Sequence, residues 1–202
     1  MRFEFKRRGF LLVVSAPSGG GKSEVLKRLR RMDPALDYSV SYTSRPRRPN
    51  EVDGTHYRFL TRERFLEMVA AGDFYEHAEV HGNLYGTSAA VVEAARAAGR
   101  DLAMDLDVKG GLSVKRRDPG AVLVFLMPPS MEVLEERLRR RASDAEDQIR
   151  LRLRNARTEI EQWRSFDYVV LNEEIEVAVA EVAHIVAAER RRADRQEWLE
   201  RT

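Results

Sequence analysis

The chain predicts an α/β fold, a parallel sheet with helices on both faces, and two observations carry that prediction. Short apolar runs at 10–14, 101–106, 121–127 and Tyr168–Leu171 alternate with segments of helical periodicity such as 88–98 and 130–138. The first run, Phe10-Leu11-Leu12-Val13-Val14, is continuous rather than alternating, as a strand covered on both faces must be.

That run leads into SAPSGGGKSEVLKRL, residues 15–29, where Val25, Leu26 and Leu29 recur at helical spacing. A strand, a glycine turn and a helix N-terminus make an anion site, because free backbone N–H groups and the helix dipole converge there. The stretch departs from the pattern G-x-x-x-x-G-K-[ST] only at its first position, Ala16, while Gly21, Lys22 and Ser23 match. In that pattern the lysine reaches the β- and γ-phosphates of a nucleotide and the hydroxyl binds Mg²⁺. Glycine clusters also mark ordinary turns, but here the strand before and the helix after favour phosphate binding.

At 202 residues the chain suits one domain with room for a small insertion. It has no cysteine, which excludes a disulfide framework and a thiolate metal site, so any metal sits on oxygen. A net charge of +2 excludes a strong bulk attraction to nucleic acid. Lysine occurs only at positions 6, 22, 27, 109 and 115, and the other 30 of the 35 basic residues are arginine. Arginine offers a planar fork suited to phosphate, yet GC-rich coding gives the same bias, so only particular arginines are read as functional. Lys6-Arg7-Arg8 followed by residues 9–16 imitates a secretory signal. Cleavage there would destroy the phosphate loop, so the segment is read as the first strand of a cytoplasmic protein. No segment approaches the ~18 apolar residues a membrane helix needs.

Between residues 38 and 87 the alternation breaks. Short pieces such as HYRFL and FYEHAEV read as a small, mostly β insertion with one helix, Arg62–Ala71. IRLRLR near 149–154 alternates like a strand, but Ile149, Leu153, Ala156, Ile160 and Trp163 form a helical stripe. Residues 173–199 read as a final helix with Val177, Val182, Ile185 and Val186 inside, its charged end at 189–202 a solvated face rather than a nucleic-acid arm. The four histidines, His56, His77, His81 and His184, show no metal-ligand spacing.

The insertion carries a second cluster. Arg45 and Arg48, stiffened by Pro46, suit a phosphate monoester better than a base, and Tyr57 and Tyr85 add neutral donors. With these residues in view, the chain resembles the guanylate kinases, which phosphorylate GMP with ATP. The resemblance spans about residues 9–188 and rests on Ala16-Pro17-Ser18-Gly19-Gly20-Gly21-Lys22-Ser23, then TSRPRRPNEVDGTHY, GNLYGTS, DLDVKGG and VLNEE in order.

The resemblance implies the nucleoside monophosphate kinase fold of the phosphate-loop enzymes: core segments 9–37, 88–136 and 165–190, a GMP-binding insertion at 38–87 and a mobile helical lid at about 137–157. By it, Arg45, Arg48, Tyr57 and Tyr85 hold the GMP phosphate. Glu76, Thr87 and Ser41 read guanine, with Asp107 near the base or sugar; most of the family has serine where Thr87 stands. Residues 16–23 and Asn172 bind ATP, Asn172 beside the adenine. Lys22 and the lid arginines Arg137, Arg141 and Arg152 stabilise the transferring group, the choice within each arginine cluster following the family alignment. Mg²⁺ is held by Ser23 and, through water, by Asp105. Asp105 and Asp107 are expected on one face of a strand end, where ligands collect, although a strand-end carboxylate capping a helix is the plainer alternative. The implied partners are ATP and GMP, with no nucleic acid and no membrane; oligomeric state stays open. Scaffold relatives that bind phosphopeptides keep the fold but have degenerate phosphate loops, and intact Gly21-Lys22-Ser23 argues against that role.

Overall fold

The computed structural model describes residues 4–80, 82–140 and 146–199. A short strand, β1 (Phe5–Arg7), precedes the first apolar strand, β2 (Leu11–Ser15), which turns through glycines into α1 (Lys22–Met32). Then come β3 (Leu36–Ser39), β4 (Tyr42–Thr43), β5 (Arg58–Phe59), α2 (Arg62–Ala71), β6 (Phe74–Val80) and β7 (Asn83–Ser88). Alternation resumes with α3 (Ala89–Ala97), β8 (Asp101–Asp105), α4 (Val108–Arg117), β9 (Val122–Met127), α5 (Met131–Arg140) and α6 (Glu146–Glu161). A 3-10 turn, Gln162–Ser165, leads to β10 (Tyr168–Leu171), α7 (Ile175–Glu189) and β11 (Gln196–Trp198).

Strands β10, β9, β2, β8 and β3 lie side by side in that order, all parallel. Side chains of β2 alternate between faces. Leu12 and Val14 pack with Leu26 and Leu29 of α1 and Val179 and Val182 of α7. Leu11 and Val13 pack with Val92 of α3 and Val114 of α4. Both faces are therefore apolar, which is why the run shows no polar alternation. Each such buried aliphatic side chain contributes roughly 1.5–3 kcal/mol. In register, Val14 pairs with Asp105, so the turn after β2 and the end of β8 share the carboxyl edge of the sheet.

Strands β5, β4, β7 and β6 form a second, four-stranded sheet, covered by α2. Thr61 caps α2, accepting from the Arg64 N–H, and Gly72 ends it at φ 75°, so the helix has the bounds the sequence suggested. Phe65 stacks on Phe74 with centroids 4.4 Å apart. Gly86 permits this: a Cβ there would come within 2.8 Å of Phe74 Cδ1.

The carboxyl end differs from expectation. The helix expected over 173–199 stops at Glu189, and Gln196–Trp198 pairs antiparallel with Phe5–Arg7. Charge pairing bends the tail back: Arg195 meets Glu189 at 2.9 Å, and Arg190 reaches Asp33 at 2.6 Å and the fully buried Asp101 at 2.7 Å. Arg7 also pairs with Asp101, and Phe5 meets Trp198 edge-on at 5.5 Å. The arginines read as a solvated helix face are thus partly ties between the two termini. Val177, expected inside, is 49% exposed, because the buried face of α7 runs through Ala178, Val179, Val182 and Val186. Trp163 lies beyond α6, in the 3-10 turn. No helix among the described residues is long and apolar enough to cross a membrane.

Candidate active site

Helix α1 starts without a side-chain cap, since its N-cap is Gly21 at φ 89°. The Glu24 and Val25 N–H groups bond the Gly21 carbonyl, so the Lys22 and Ser23 N–H groups at the helix start are left for an anion, and the helix dipole favours one there. The loop before it is braced. Gly20 N–H bonds the Pro17 carbonyl at 2.8 Å, and Asn172 Nδ2 donates to the Gly20 carbonyl at 2.7 Å. Gly21 must lack a Cβ, which would come within 2.7 Å of that same nitrogen. From α6, Glu159 Oε2 accepts the Ser18 N–H at 3.1 Å.

At the end of β8, Asp105 Oδ2 accepts from Ser23 Oγ at 2.5 Å, and Lys22 Nζ lies 3.9 Å from Asp105 Oδ1. Two hard oxygens side by side fit Mg²⁺, which keeps several waters and shares its coordination with phosphate. Among the described residues no group of three or more His, Asp or Glu could hold a metal by itself. Phosphate oxygens would have to complete the shell.

The facing wall comes from the second sheet and its loops. Arg45 Nη2 bonds Glu51 Oε1 at 2.7 Å, and Glu51 Oε2 accepts the Arg48 N–H at 2.8 Å. Burial opposes the Arg45 charge, but Glu51 and Tyr85 outweigh it and raise the guanidinium further. Burial likewise pushes the Glu51 carboxyl up, and Arg45 and the Arg48 N–H overcome it to leave Glu51 below its usual range. Tyr57 and Tyr85 meet edge-on at 5.9 Å. Burial, then the Asp105 charge, holds the Tyr57 phenol protonated well above its ordinary value, leaving it a donor.

Deeper in, Glu76 is only 6% exposed and Thr87 Oγ1 donates to its Oε1 at 2.8 Å. Burial pushes the carboxyl up to about 7; the Thr87 bond pulls down and the Asp107 charge pushes up. Such a carboxylate can accept two adjacent N–H donors from one planar ring.

The two walls enclose a cleft of about 620 Å³. Ala16, Ser18, Gly19, Gly20, Gly21, Lys22 and Ser23 line one side. Ser41, Arg45, Arg48, Tyr57, Glu76 and Tyr85 line the other, with Asp105, Asp107 and Arg152 between them. Some expected residues stand elsewhere. Pro17 and Thr87 lie behind the lining, Thr87 acting through Glu76. Asn172, expected beside adenine, is buried behind the loop with its side-chain N–H on Gly20. Arg137 donates to the Asn172 carbonyl at 3.0 Å and does not line the cleft. Asp107 is not in the strand: it caps α4, accepting from the Gly110 N–H at 2.9 Å, because β8 ends at Asp105 and the chain turns directly into that helix. Arg141 and His81 lie outside the described residues. Glu51 and Glu159 were missed. Glu51 sits within TSRPRRPNEVDG, three residues past Arg48, whereas nothing local marks Glu159.

With this geometry in place, the family model described as guanylate kinase matches residues 8–189. The chain belongs to the guanylate kinase family. A curated guanylate kinase from Chelativorans sp. (strain BNC1) is 48% identical over 96% of this chain and 90% of its own length. One from Agrobacterium fabrum is 46% identical over 96% and 88%. The crystal structure of guanylate kinase from Anaplasma phagocytophilum superposes with a TM-score of 0.80 at 35% identity, covering 95% of this chain and 92% of that one. The family phosphorylates GMP with ATP to give GDP. Its fold, a parallel sheet flanked by helices around a phosphate loop, is the one seen here.

Proposed function

We propose that this chain carries out the family reaction, ATP and GMP giving ADP and GDP, in the cleft between the phosphate loop and the second sheet, as a cytoplasmic enzyme of purine nucleotide metabolism. The supporting observation is the meeting of the two walls: an uncapped helix N-terminus with Lys22 faces a buried, hydroxyl-oriented Glu76 across one 620 Å³ cleft.

The N–H groups at the start of α1 and the Lys22 side chain take the ATP β- and γ-phosphates, and Arg45, Arg48, Tyr57 and Tyr85 take the GMP phosphate. Guanine presents N1–H and its 2-amino group as adjacent donors to Glu76, while Ser41 gives a further polar contact. Adenine has a lone pair at N1 and no 2-amino group, so it would leave buried Glu76 unpaired, which is how such sites reject analogues. No protein base is required, because the GMP phosphate is already a competent nucleophile. What the chain supplies is cations around the transferring group, Lys22 and Arg152, and shelter from water as the lid closes. Mg²⁺, held by Ser23 and, through water, by Asp105, would neutralise phosphate charge when bound with ATP.

The test is ADP formation from ATP and Mg²⁺ with GMP, AMP, CMP and UMP in parallel. Turnover with GMP and at least a hundred-fold less with AMP is expected, roughly the range that unpaired buried polar groups give. Equal turnover with AMP, or none with any acceptor while the protein is folded, contradicts the proposal.

A further inference from the structure

Residue Glu159 has no part in the reaction as described so far, yet it is a partly buried carboxylate inside a phosphate-binding cleft. Its Oε2 accepts the Ser18 N–H at 3.1 Å, which ties α6 to the phosphate loop. Arg152 stands seven residues earlier on the same helix, two turns away and so on the same face, and it lines the same cleft. The two side chains form one edge of α6, with Glu159 touching the loop and Arg152 further along it.

We infer that Glu159 is a positioning residue: by accepting the Ser18 N–H it docks α6 on the phosphate loop and thereby sets where Arg152 stands over the transferring phosphoryl group. This role rests on the phosphoryl-transfer reading above. Three features favour it over a merely structural tie. The loop keeps its shape by other bonds, Gly20 N–H to Pro17 and Asn172 to the Gly20 carbonyl, so losing Glu159 releases the helix rather than the loop. The bond joins an anion to a backbone donor, a charge-assisted contact with a defined direction. Burial raises the Glu159 carboxyl while Ser18 and then Lys22 act against it, so the side chain is held where an unpaired carboxylate would be disfavoured.

The test uses the full chain with Glu159→Ala, Glu159→Gln and Arg152→Ala. In Glu159→Ala, kcat should fall on the order of ten-fold, as a small displacement of a catalytic group does, with KM for GMP within about two-fold of wild type. The Ser18 amide should lose protection from hydrogen exchange in that variant. Glu159→Gln still has an oxygen to accept the Ser18 N–H, so it should recover most of kcat and the protection. In the Arg152→Ala background, adding Glu159→Ala should cost less than about two-fold further, since the two act through one position. Unchanged kcat in Glu159→Ala, equal impairment in Glu159→Gln, or full additivity with Arg152→Ala would each overturn the role. Absence of GMP phosphorylation by the wild-type chain would instead overturn the kinase reading and this role with it.

Discussion

In the phosphate loop the binding groups are backbone N–H groups, set by Gly19 and Gly21, both at φ 89°. On the facing wall they are side chains, drawn from Ser41 to Tyr85, and Arg45 and Glu76 among them are each bonded by another side chain. The loop carries its binding groups on its own backbone, braced from outside by Asn172 and Glu159. The wall needs partners: Glu51 aims Arg45, and Thr87 orients Glu76. The first region is therefore expected to govern transfer and the second to govern which nucleotide is accepted, and substitutions should separate the two.

The largest expected effect is on the loop side. Lys22→Met should keep the fold and lower kcat by on the order of 10²-fold or more, because its charge acts where charge develops in transfer. Near-normal turnover, measured by ADP formation, would remove the loop from the chemistry. Next is the wall: Glu76→Gln should raise KM for GMP about 10- to 100-fold, the range for losing a hydrogen bond to a charged group, while leaving saturating turnover far less affected. A fall in kcat with KM unchanged would place Glu76 on the wrong side of the comparison.

The same carboxyl gives a pH signature. Its value in the free protein is raised to about 7 from an ordinary 4.5, first by burial. Guanine's donors need the ionised form, so below pH 7 binding must release a proton, and KM for GMP should rise up to ten-fold per pH unit as pH falls. Above pH 7 it should level off. For stability the sign is opposite. The folded state keeps a proton that the unfolded chain loses, so Glu76 favours folding below 4.5 and that contribution is lost as pH rises through 7. Glu76→Gln should accordingly melt higher than wild type at pH 8, with little difference at pH 5; equal melting at both would contradict the burial argument.

The smallest effect belongs to Glu51→Gln. Losing the charge beside Arg45 while keeping an acceptor for the Arg48 N–H should weaken GMP by a few-fold, about 1 kcal/mol. A calorimetric titration with GMP checks it, and an unchanged affinity would mean Arg45 needs no aiming.

The same contrast explains what was legible in the sequence. The phosphate loop is contiguous, and backbone chemistry written in Gly21-Lys22-Ser23 needs no knowledge of distant residues. Four of the five central strands were legible for a similar reason, as unbroken apolar runs, whereas the edge strand β3, Leu36-Asp37-Tyr38-Ser39, is half polar and was not read. Side-chain pairings across the fold were not. Asn172 and Glu159 reach the loop from residues more than a hundred positions away, and no local pattern distinguishes a residue that braces a loop from one that touches a ligand. Asp107 looked like a second strand carboxylate because period-two counting assumes that the strand continues, whereas β8 ends at Asp105. The tail read as helix because the apolar pattern of Val177, Val182, Ile185 and Val186 was extended through it; the ion pairs of its arginines with Asp33, Asp101 and Glu189 appear only once the termini meet.

Separation of the two walls is tested most directly by titrating GMP into Lys22→Met by calorimetry and measuring that variant's turnover in the same preparation. GMP affinity within about two-fold of wild type, with turnover down on the order of 10²-fold, is the expected result. GMP affinity lost together with turnover would show that the loop and the facing wall bind as one unit.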